Sequence, residues 1–336
     1  MRRVFDTIAI LSAFTFSTLH AQSWPSKPIR LLVPFVPGGN VDITARAVAP
    51  GLQEILGQPV IVENRPGAGG TIAANQVAKA FPDGYTLLMG STSTLGVAPA
   101  LYKDVYDPVK DFSPIVILQQ VPFVLVAHPS VPVRTVGELV SLAKSRPGTI
   151  AMASAGSGSS NHLAGELFQS STGTKFVHVP YKGSGQAVAD LIGGQVQLYF
   201  DQITTEIGNI KSGKVRALAV SSARRWTALP DVPTFIEASV PGYEVLNITG
   251  LVAPSGTPRE IIQQLHAASI RVLESPLVRE RFASLGVEPV GGRPEQFGAY
   301  IREDFARWRK VIADSNIKVE QGSKYRISGS SRPRNR

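Results

Sequence analysis

Short apolar runs alternate with amphipathic segments along most of this chain, and that alternation is the strongest constraint on its fold. Residues 29–36 form a largely apolar run typical of a buried strand, and residues 41–56 repeat apolar side chains at helical spacing, with Gly57 as the predicted C-terminal cap. The same order continues to about residue 121. Two strands are predicted at 115–119 and 123–127, and a second series runs from about 133 to 221. Such βα alternation predicts α/β architecture, with mainly parallel sheets flanked by helices. Two series of this length predict two lobes.

The last hundred residues contain one strand-like run and three helical segments, which is too little for a third domain. We therefore predict that they return to the first lobe. The predicted first lobe comprises residues 22–121 and 222–320, and the second comprises 122–221. The chain then crosses between the lobes near residues 121 and 222.

Both chain ends differ in composition from the body. Arg2 and Arg3 precede a short apolar stretch and then Ala21, which is the pattern of a secretory signal peptide over residues 1–21. A buried first helix is the alternative. Residues 321–336 hold five Lys/Arg and no acid, and we predict a disordered basic tail. Removing five charges for the tail and a net one for the leader leaves +3 of the total +9, so no nucleic-acid partner is predicted.

Glycine and small polar residues follow several of the predicted strands. Ligands of open parallel sheets bind beyond the carboxyl ends of the strands. Glycine or serine at a helix start leaves backbone N–H groups uncovered, and these groups favour an anion. For each loop taken alone, the alternative to anion binding is that the glycine or serine simply caps a helix. The stretches are PGGN (37–40), STST (91–94), SAGSGSSN (154–161) and YKGSG (181–185), with Asp201 at the end of a further strand.

Other site chemistries find less support. The chain has no cysteine, which excludes disulfides and thiolate metal sites, and its five histidines lack metal-ligand spacing. GSGSSN approaches the dinucleotide motif, but Asn161 replaces its last glycine. The G-x-S-x-G motif of many hydrolases is absent. Asp201 is predicted either to hold a ligand amine or hydroxyl or to cap a helix, and Lys182 either to face a second carboxylate or to lie in solvent.

Several longer segments resemble the Bug-type solute receptors, the extracytoplasmic binding proteins of tripartite tricarboxylate transporters. The matching segments are WPSKPIRLLVPFVPGGNVDITAR, VIVENRPGAGGTIAANQVAKAFPDGYTLLMG, VPYKGSGQAVADLIGGQVQLYFD, GKVRALAVSSARRWTALPDVPTFIEA and APSGTPREII. They span residues 24–320 in the family's order and spacing. The basic tail departs from the family, as many relatives end before it.

The resemblance implies a type II, Venus-flytrap binding protein in the periplasm, monomeric, without catalysis or cofactor. It implies a small carboxylate as ligand and the membrane permease subunits of such a transporter as partners. The residues that it implies for the ligand site are Phe35, Pro37, Gly38, Gly39, Asn40, Ser91, Thr92, Ser154, Gly156, Ser157, Gly158, Ser159, Ser160, Tyr181, Lys182 and Asp201.

Three other roles remain as alternatives. An orphan receptor of the same kind would present its ligand to a sensor kinase. An enzyme, such as a nucleotide-dependent oxidoreductase or a hydrolase, would turn its ligand over. The effector half of a transcription regulator shares this type of fold, but a leader stands where a helix-turn-helix region would be expected.

Overall fold

A computed structural model describes residues 24–103, 105–287 and 289–314. The predicted signal peptide and basic tail lie outside the described residues. Within them the chain alternates strands and helices as the sequence predicts. The strands are β1 (Ile29–Val33), β2 (Val60–Asn64), β3 (Thr86–Ser91), β4 (Phe112–Ala127), β5 (Ala151–Ser154), β6 (Val177–Pro180), β7 (Leu198–Gln202), β8 (Arg216–Val220), β9 (Leu246–Pro254) and β10 (Pro289–Gly291).

The helices connect these strands and cover the sheet. A π-helical turn, Ser93–Val97, leads into the first short helix after β3. The helices are α1 (Asn40–Leu56), α2 (Thr71–Ala78), α3 (Ala98–Leu101), α4 (Val136–Ser145), α5 (Ser160–Thr172), α6 (Ser184–Ile192), α7 (Ile203–Lys211), α8 (Arg259–Glu274), α9 (Pro276–Ser284) and α10 (Pro294–Asp314).

The strands form two groups that share β4. In the first group β1 pairs in parallel with β2 and β3, and β9 runs antiparallel between β3 and β4. In the second group β5 pairs in parallel with β6 and β7, while β4 lies antiparallel to β7 and β8. The predicted parallel pairing therefore holds within each βα series. The strands that join the two groups are antiparallel.

Strand β4 is continuous where the sequence predicts two strands, 115–119 and 123–127. Its residues 112–122 pair with β9, and its residues 123–127 pair with β7 and β8. Pro122 has no N–H to donate, and it lies where the strand changes partners, so no central ladder is broken. The chain thus passes from the first group to the second within one strand.

The return from the second group to the first is longer. After β8, Phe235, Val240 and Tyr243 are buried in the same core cluster as Phe200 and Phe123. Strand β9 then begins and joins the first group. The lobe boundaries, 22–121 with 222–320 and 122–221, stay a prediction.

Helix α1 shows how the sequence pattern fixes local structure. Its predicted apolar face is buried, with Val41, Ala45, Val48 and Leu52 each less than a tenth exposed. Gly57 ends the helix in the left-handed conformation (φ 68°), as predicted for its C-terminal cap. Helix α7 starts directly after a strand, and α1, α5 and α6 each start after a short loop that follows a strand, so their N-termini lie near the strand ends where the groups meet. None of the described helices has the length and apolar character needed to cross a membrane.

Candidate ligand-binding site

A small cavity lies between the two groups of strands, with about 20 Å³ open to the centre of a water molecule. The starts of α1, α5 and α6 and the ends of β3 and β7 contribute to its wall. No charged side chain occurs among the described residues that line it. The lining residues are Phe35, Gly39, Asn40, Val41, Ser91, Ser93, Ala155, Ser160, Asn161, Ser184, Gln202 and Asn247.

The start of α1 presents uncapped backbone N–H groups to this cavity. The first hydrogen bond within α1 runs from Ile43 N to Gly39 O, at 2.9 Å, and no side chain of the described residues caps the N–H groups before it. Asn40 and Val41 are buried, at 3% and 6% exposure, so their N–H groups do not face bulk water. Unpaired N–H groups at a helix start are suited to an anion.

Asp42, the acidic residue in the first turn of α1, is hydrogen-bonded to neighbouring groups of the first group of strands and its loops. Asp42 accepts from Gly38 N at 3.0 Å and from Arg46 Nε at 3.0 Å, and Asn64 also donates to it. Burial raises the pKa of Asp42, but these hydrogen bonds outweigh burial and hold the pKa below its ordinary value. The negative charge of Asp42 is thus neutralised within the lobe.

The end of β3 supplies a hydroxyl with no partner. Ser91 is 1% exposed and lines the cavity, yet its Oγ makes no hydrogen bond among the described residues. Buried polar groups are normally paired, so an unpaired hydroxyl beside a cavity points to a ligand. Its neighbour Thr92 is occupied, because its Oγ1 accepts from Ile248 N at 3.0 Å.

The loop before α5 mainly supports the site from behind. Ser154 Oγ lies 2.7 Å from His178 Nε2, and Gly156 N donates to the same Oγ. Gly158 N donates to His162 Nδ1, and Ser159 caps α5 by accepting from His162 N. Of the predicted residues in this loop, Ser160 alone lines the cavity in the described structure.

The two histidines behind this loop stack on each other, with ring centroids 3.9 Å apart. Burial lowers the pKa of His162 to about 3, helped by the nearby His178, and lowers the pKa of His178 to about 4. Both imidazoles are therefore neutral near pH 7. Neutral rings can accept the hydrogen bonds that hold the loop.

Asp201 lies behind the cavity wall. It is fully buried and accepts hydrogen bonds from Asn161 Nδ2 at 2.8 Å and from Ser184 Oγ at 3.1 Å. Burial raises its pKa. Glu206, also fully buried, has a pKa raised by burial and by the charge of Asp201. Asp201 therefore influences the cavity only indirectly, through its hydrogen bonds with Asn161 and Ser184.

Hydrogen bonds cross the cleft between the two groups. Thr204 Oγ1 donates to Asn40 Oδ1 at 2.5 Å, and Tyr102 Oη donates to Ser157 O at 2.8 Å. Ser93 Oγ donates to Ser160 Oγ and accepts from Ser160 N, at 2.9 and 2.8 Å. These bonds hold the two groups together around the cavity.

Five of the sixteen predicted site residues line the cavity: Phe35, Gly39, Asn40, Ser91 and Ser160. Tyr181 Oη instead donates to Asp190 at 2.7 Å, and Lys182 is exposed. Pro37 and Gly38 line a separate, open void at the mouth of the cleft. The contact roles predicted for all sixteen residues stay predictions. The remaining ones are not among the lining residues, namely Thr92, Ser154, Gly156, Ser157, Gly158, Ser159 and Asp201.

Sequence reasoning missed several lining residues. Ser93, Ala155, Asn161 and Ser184 occur in the loops that it singled out, but not among the selected residues. Gln202 directly follows Asp201 and gave no separate signal. Asn247 lies near the start of β9, an antiparallel strand with no glycine- or serine-rich loop to mark it.

Comparison with known proteins decides the family. Residues 44–317 match the family described as the tripartite tricarboxylate transporter family receptor. The chain belongs to this family. BugT of Bordetella pertussis is 39% identical over 315 residues, which cover 93% of this chain and 97% of BugT.

Solved structures agree with this assignment. The periplasmic binding protein BugD matches with a TM-score of 0.85 at 36% identity, covering 88% of this chain and 99% of BugD. MatC of Rhodopseudomonas palustris, solved with bound malate, matches with a TM-score of 0.82 at 37% identity, covering 86% and 100% of the two chains. The predicted Bug-type receptor with a two-lobed α/β fold is confirmed. The chain is a solute-binding receptor of a periplasmic binding protein family.

Proposed function

We propose that this receptor closes its two lobes on a small organic carboxylate in the periplasm and delivers it to the permease subunits of a tripartite tricarboxylate transporter. The carrying observation is the cavity itself. It brings together the uncapped start of α1 and the Ser91 hydroxyl, which has no partner among the described residues, and none of the described lining residues is charged. Such a wall can bind an anion through backbone N–H groups and hydroxyls.

Hydrogen bonds can supply the required affinity without a cationic side chain. Each hydrogen bond to a charged group contributes roughly 1.5–3 kcal/mol, and a partly buried helix dipole adds up to about 2 kcal/mol. A few such bonds, less the cost of immobilising the ligand, reach micromolar affinity at about −8 kcal/mol. The malate bound to MatC is a carboxylate of the proposed kind.

Binding without turnover is also part of this proposal. Ser154 and His178 are close enough to form a nucleophile–base pair, with 2.7 Å between Oγ and Nε2. However, Ser154 is fully buried and does not line the cavity, and Gly156 N donates to its Oγ. A substrate in the cavity would therefore not meet this hydroxyl. We interpret the pair as a support for the loop.

Calorimetric titration with a panel of organic acids tests the ligand class. We expect at least one acid to bind and to be recovered unchanged after incubation. Ser91→Ala should weaken that binding about 10- to 100-fold, because it removes one hydrogen bond to a charged group. The free variant should be as stable as the parent, because the lost hydroxyl has no partner within the part of the chain that the structure describes.

Ser269→Ala is the matched control for that variant. Ser269 is equally buried, but its Oγ donates to Leu265 O within α8, away from the cavity. Its removal should leave affinity unchanged. Equal affinity of Ser91→Ala and the parent for every acid would contradict the proposed site, and turnover of an acid would contradict the proposed role.

The partner is tested separately. The loaded receptor, added to membrane vesicles that contain the transporter subunits, should drive uptake of the bound acid. If the receptor binds the acid but supports no uptake, and a sensor kinase retains it instead, the role is signalling and not transport.

A further inference from the structure

Asp201 determines which hydrogen-bonding atoms its neighbours can offer to the cavity. It is fully buried and lies behind Asn161 and Ser184, which both line the cavity. As a carboxylate, Asp201 can only accept hydrogen bonds. It accepts from Asn161 Nδ2, Ser184 Oγ and Thr205 Oγ1, at 2.8, 3.1 and 2.6 Å. The protons of these groups are thus directed away from the cavity.

Asn161 is left with an acceptor. Its Nδ2 donates to Asp201 and also to Phe200 O at 2.9 Å, and it lies 3.4 Å from Gln202 Oε1. Three acceptors around one nitrogen fix the orientation of the amide. Its Oδ1 receives no hydrogen bond from any described residue. Because Asn161 lines the cavity, this oxygen is the atom that it has left for a ligand.

Ser184 is left with an acceptor for the same reason. Its hydroxyl has one proton, which it uses to donate a hydrogen bond to Asp201. Its Oγ also lies 2.7 Å from Tyr199 Oη. Tyr199 is fully buried, and burial raises its pKa well above the ordinary value, so the phenol keeps its proton and donates it to Ser184. A lone pair of Ser184 Oγ remains for the cavity.

The start of α1 faces this acceptor wall across a narrow gap. A Cβ atom added at Gly39 would lie 3.6 Å from Ser184 Cβ. Gly39, Asn161 and Ser184 line the same small cavity, so a carboxylate bound at the start of α1 would hold its neighbouring carbon close to Asn161 and Ser184. A substituent on that carbon meets acceptors, so it must donate a hydrogen bond. A ligand that leaves these acceptors unpaired, or that places its own acceptor against them, would bind less tightly.

We propose that Asp201 is a positioning residue that makes this wall an acceptor, so that the ligand is a carboxylate with a hydroxyl or ammonium donor near the carboxylate. This inference rests on the proposed carboxylate-binding function. It narrows the substrate class to hydroxy- and amino-carboxylates. The corresponding oxo acids and unsubstituted acids should bind less well.

Matched acids of three shapes test this inference on the full-length receptor by calorimetric titration. The sets are lactate, pyruvate and propionate; malate, oxaloacetate and succinate; and mandelate, phenylglyoxylate and phenylacetate. In the set that binds, the hydroxy acid should bind at least about tenfold more tightly than the oxo acid. Carboxylate binding without that preference overturns this inference but leaves the proposed function intact. Failure of all carboxylates to bind overturns both.

Two variants test the role of Asp201. In Asp201→Asn the new amide can donate as well as accept, so Ser184 need no longer give up its proton. We expect the ratio of hydroxy-acid to oxo-acid affinity to fall at least about threefold. Ser184→Ala removes one acceptor directly and should lower the same ratio, which keeps the test available if Asp201→Asn does not fold. A purely structural role would weaken both acids equally and leave both ratios unchanged, which would overturn the inference.

Discussion

Gly185→Ala should weaken ligand binding while making the free protein more stable. Gly185 lies in the first turn of α6, and a Cβ atom added there would be 2.9 Å from Pro37 O, across the cleft. That is closer than a carbon and an oxygen tolerate, and the obstacle is backbone. The lobes of the variant must stay a few tenths of an ångström further apart. Overpacking of this kind costs about 1–3 kcal/mol, which weakens affinity about 5- to 150-fold.

The stability of the free protein should change in the opposite direction. Gly185 is helical and needs no left-handed backbone conformation, so alanine favours the helix by roughly 0.5–1 kcal/mol. We expect the free protein to adopt an open form, in which Pro37 O lies away from the new methyl group. Thermal unfolding without ligand should therefore show a slightly higher Tm, by about 2–4 °C for each kcal/mol in domains of 150–250 residues. Calorimetric titration with the best acid measures the affinity.

Gly208→Ala provides the control. Gly208 is an exposed residue of α7, and a Cβ atom added there meets nothing within 4 Å. It should raise the Tm of the free protein in the same way and leave the affinity unchanged. Unchanged affinity in Gly185→Ala would refute the reasoning that binding requires the closed approach of α6 to the loop after β1. An equal loss in both variants would refute it as well.

Three further predictions concern buried polar groups. Thr204→Val removes the donor to Asn40 across the cleft and should weaken acid binding about 2- to 10-fold in titrations, whereas full affinity would exclude Thr204 from closure. The pKa of Glu206 is raised to about 8 by burial and by Asp201, so the folded state keeps a proton that the unfolded chain loses above about pH 4.5; the contribution of Glu206 to stability in urea should fall as pH rises from 5 to 8, and the stability of Glu206→Gln relative to the parent should therefore rise over that range. The pKa of His178 is lowered to about 4, so the unfolded chain takes up a proton first below about pH 6.5; the contribution of His178 to stability should fall from pH 6.5 to 4, and a constant stability difference between His178→Gln and the parent over that range would contradict this.

The sequence predicts the βα framework well because its signals are local. The apolar stripe of α1 and the cap at Gly57 depend on residues within one helix, and both predictions hold. The partners of a strand depend on residues far along the chain. Local patterns therefore do not predict the continuity of β4 or its antiparallel pairing with β9.

The site was predictable at the level of loops and not at the level of atoms. Ser91 and Thr92 are neighbours of similar chemistry, yet among the described residues the Ser91 hydroxyl has no partner, whereas Thr92 accepts from Ile248 N. No local pattern distinguishes them, since the deciding partner is 156 residues away. Asn247 illustrates the same limit, because it is a lining residue that local patterns did not mark. It lines the cavity from an antiparallel strand that carries no motif.

Asn40 connects ligand capture with lobe closure. Its N–H group belongs to the uncapped start of α1, while its side chain donates to Thr249 and accepts from Gln119 within the first group of strands. Thr204 adds one more hydrogen bond from the opposite side of the cleft. A net hydrogen bond contributes about 0.5–1.5 kcal/mol, so the few bonds across the cleft can favour closure only modestly. An anion that needs N–H groups and side chains from both sides binds the closed form better, and this difference in affinity is what shifts the population.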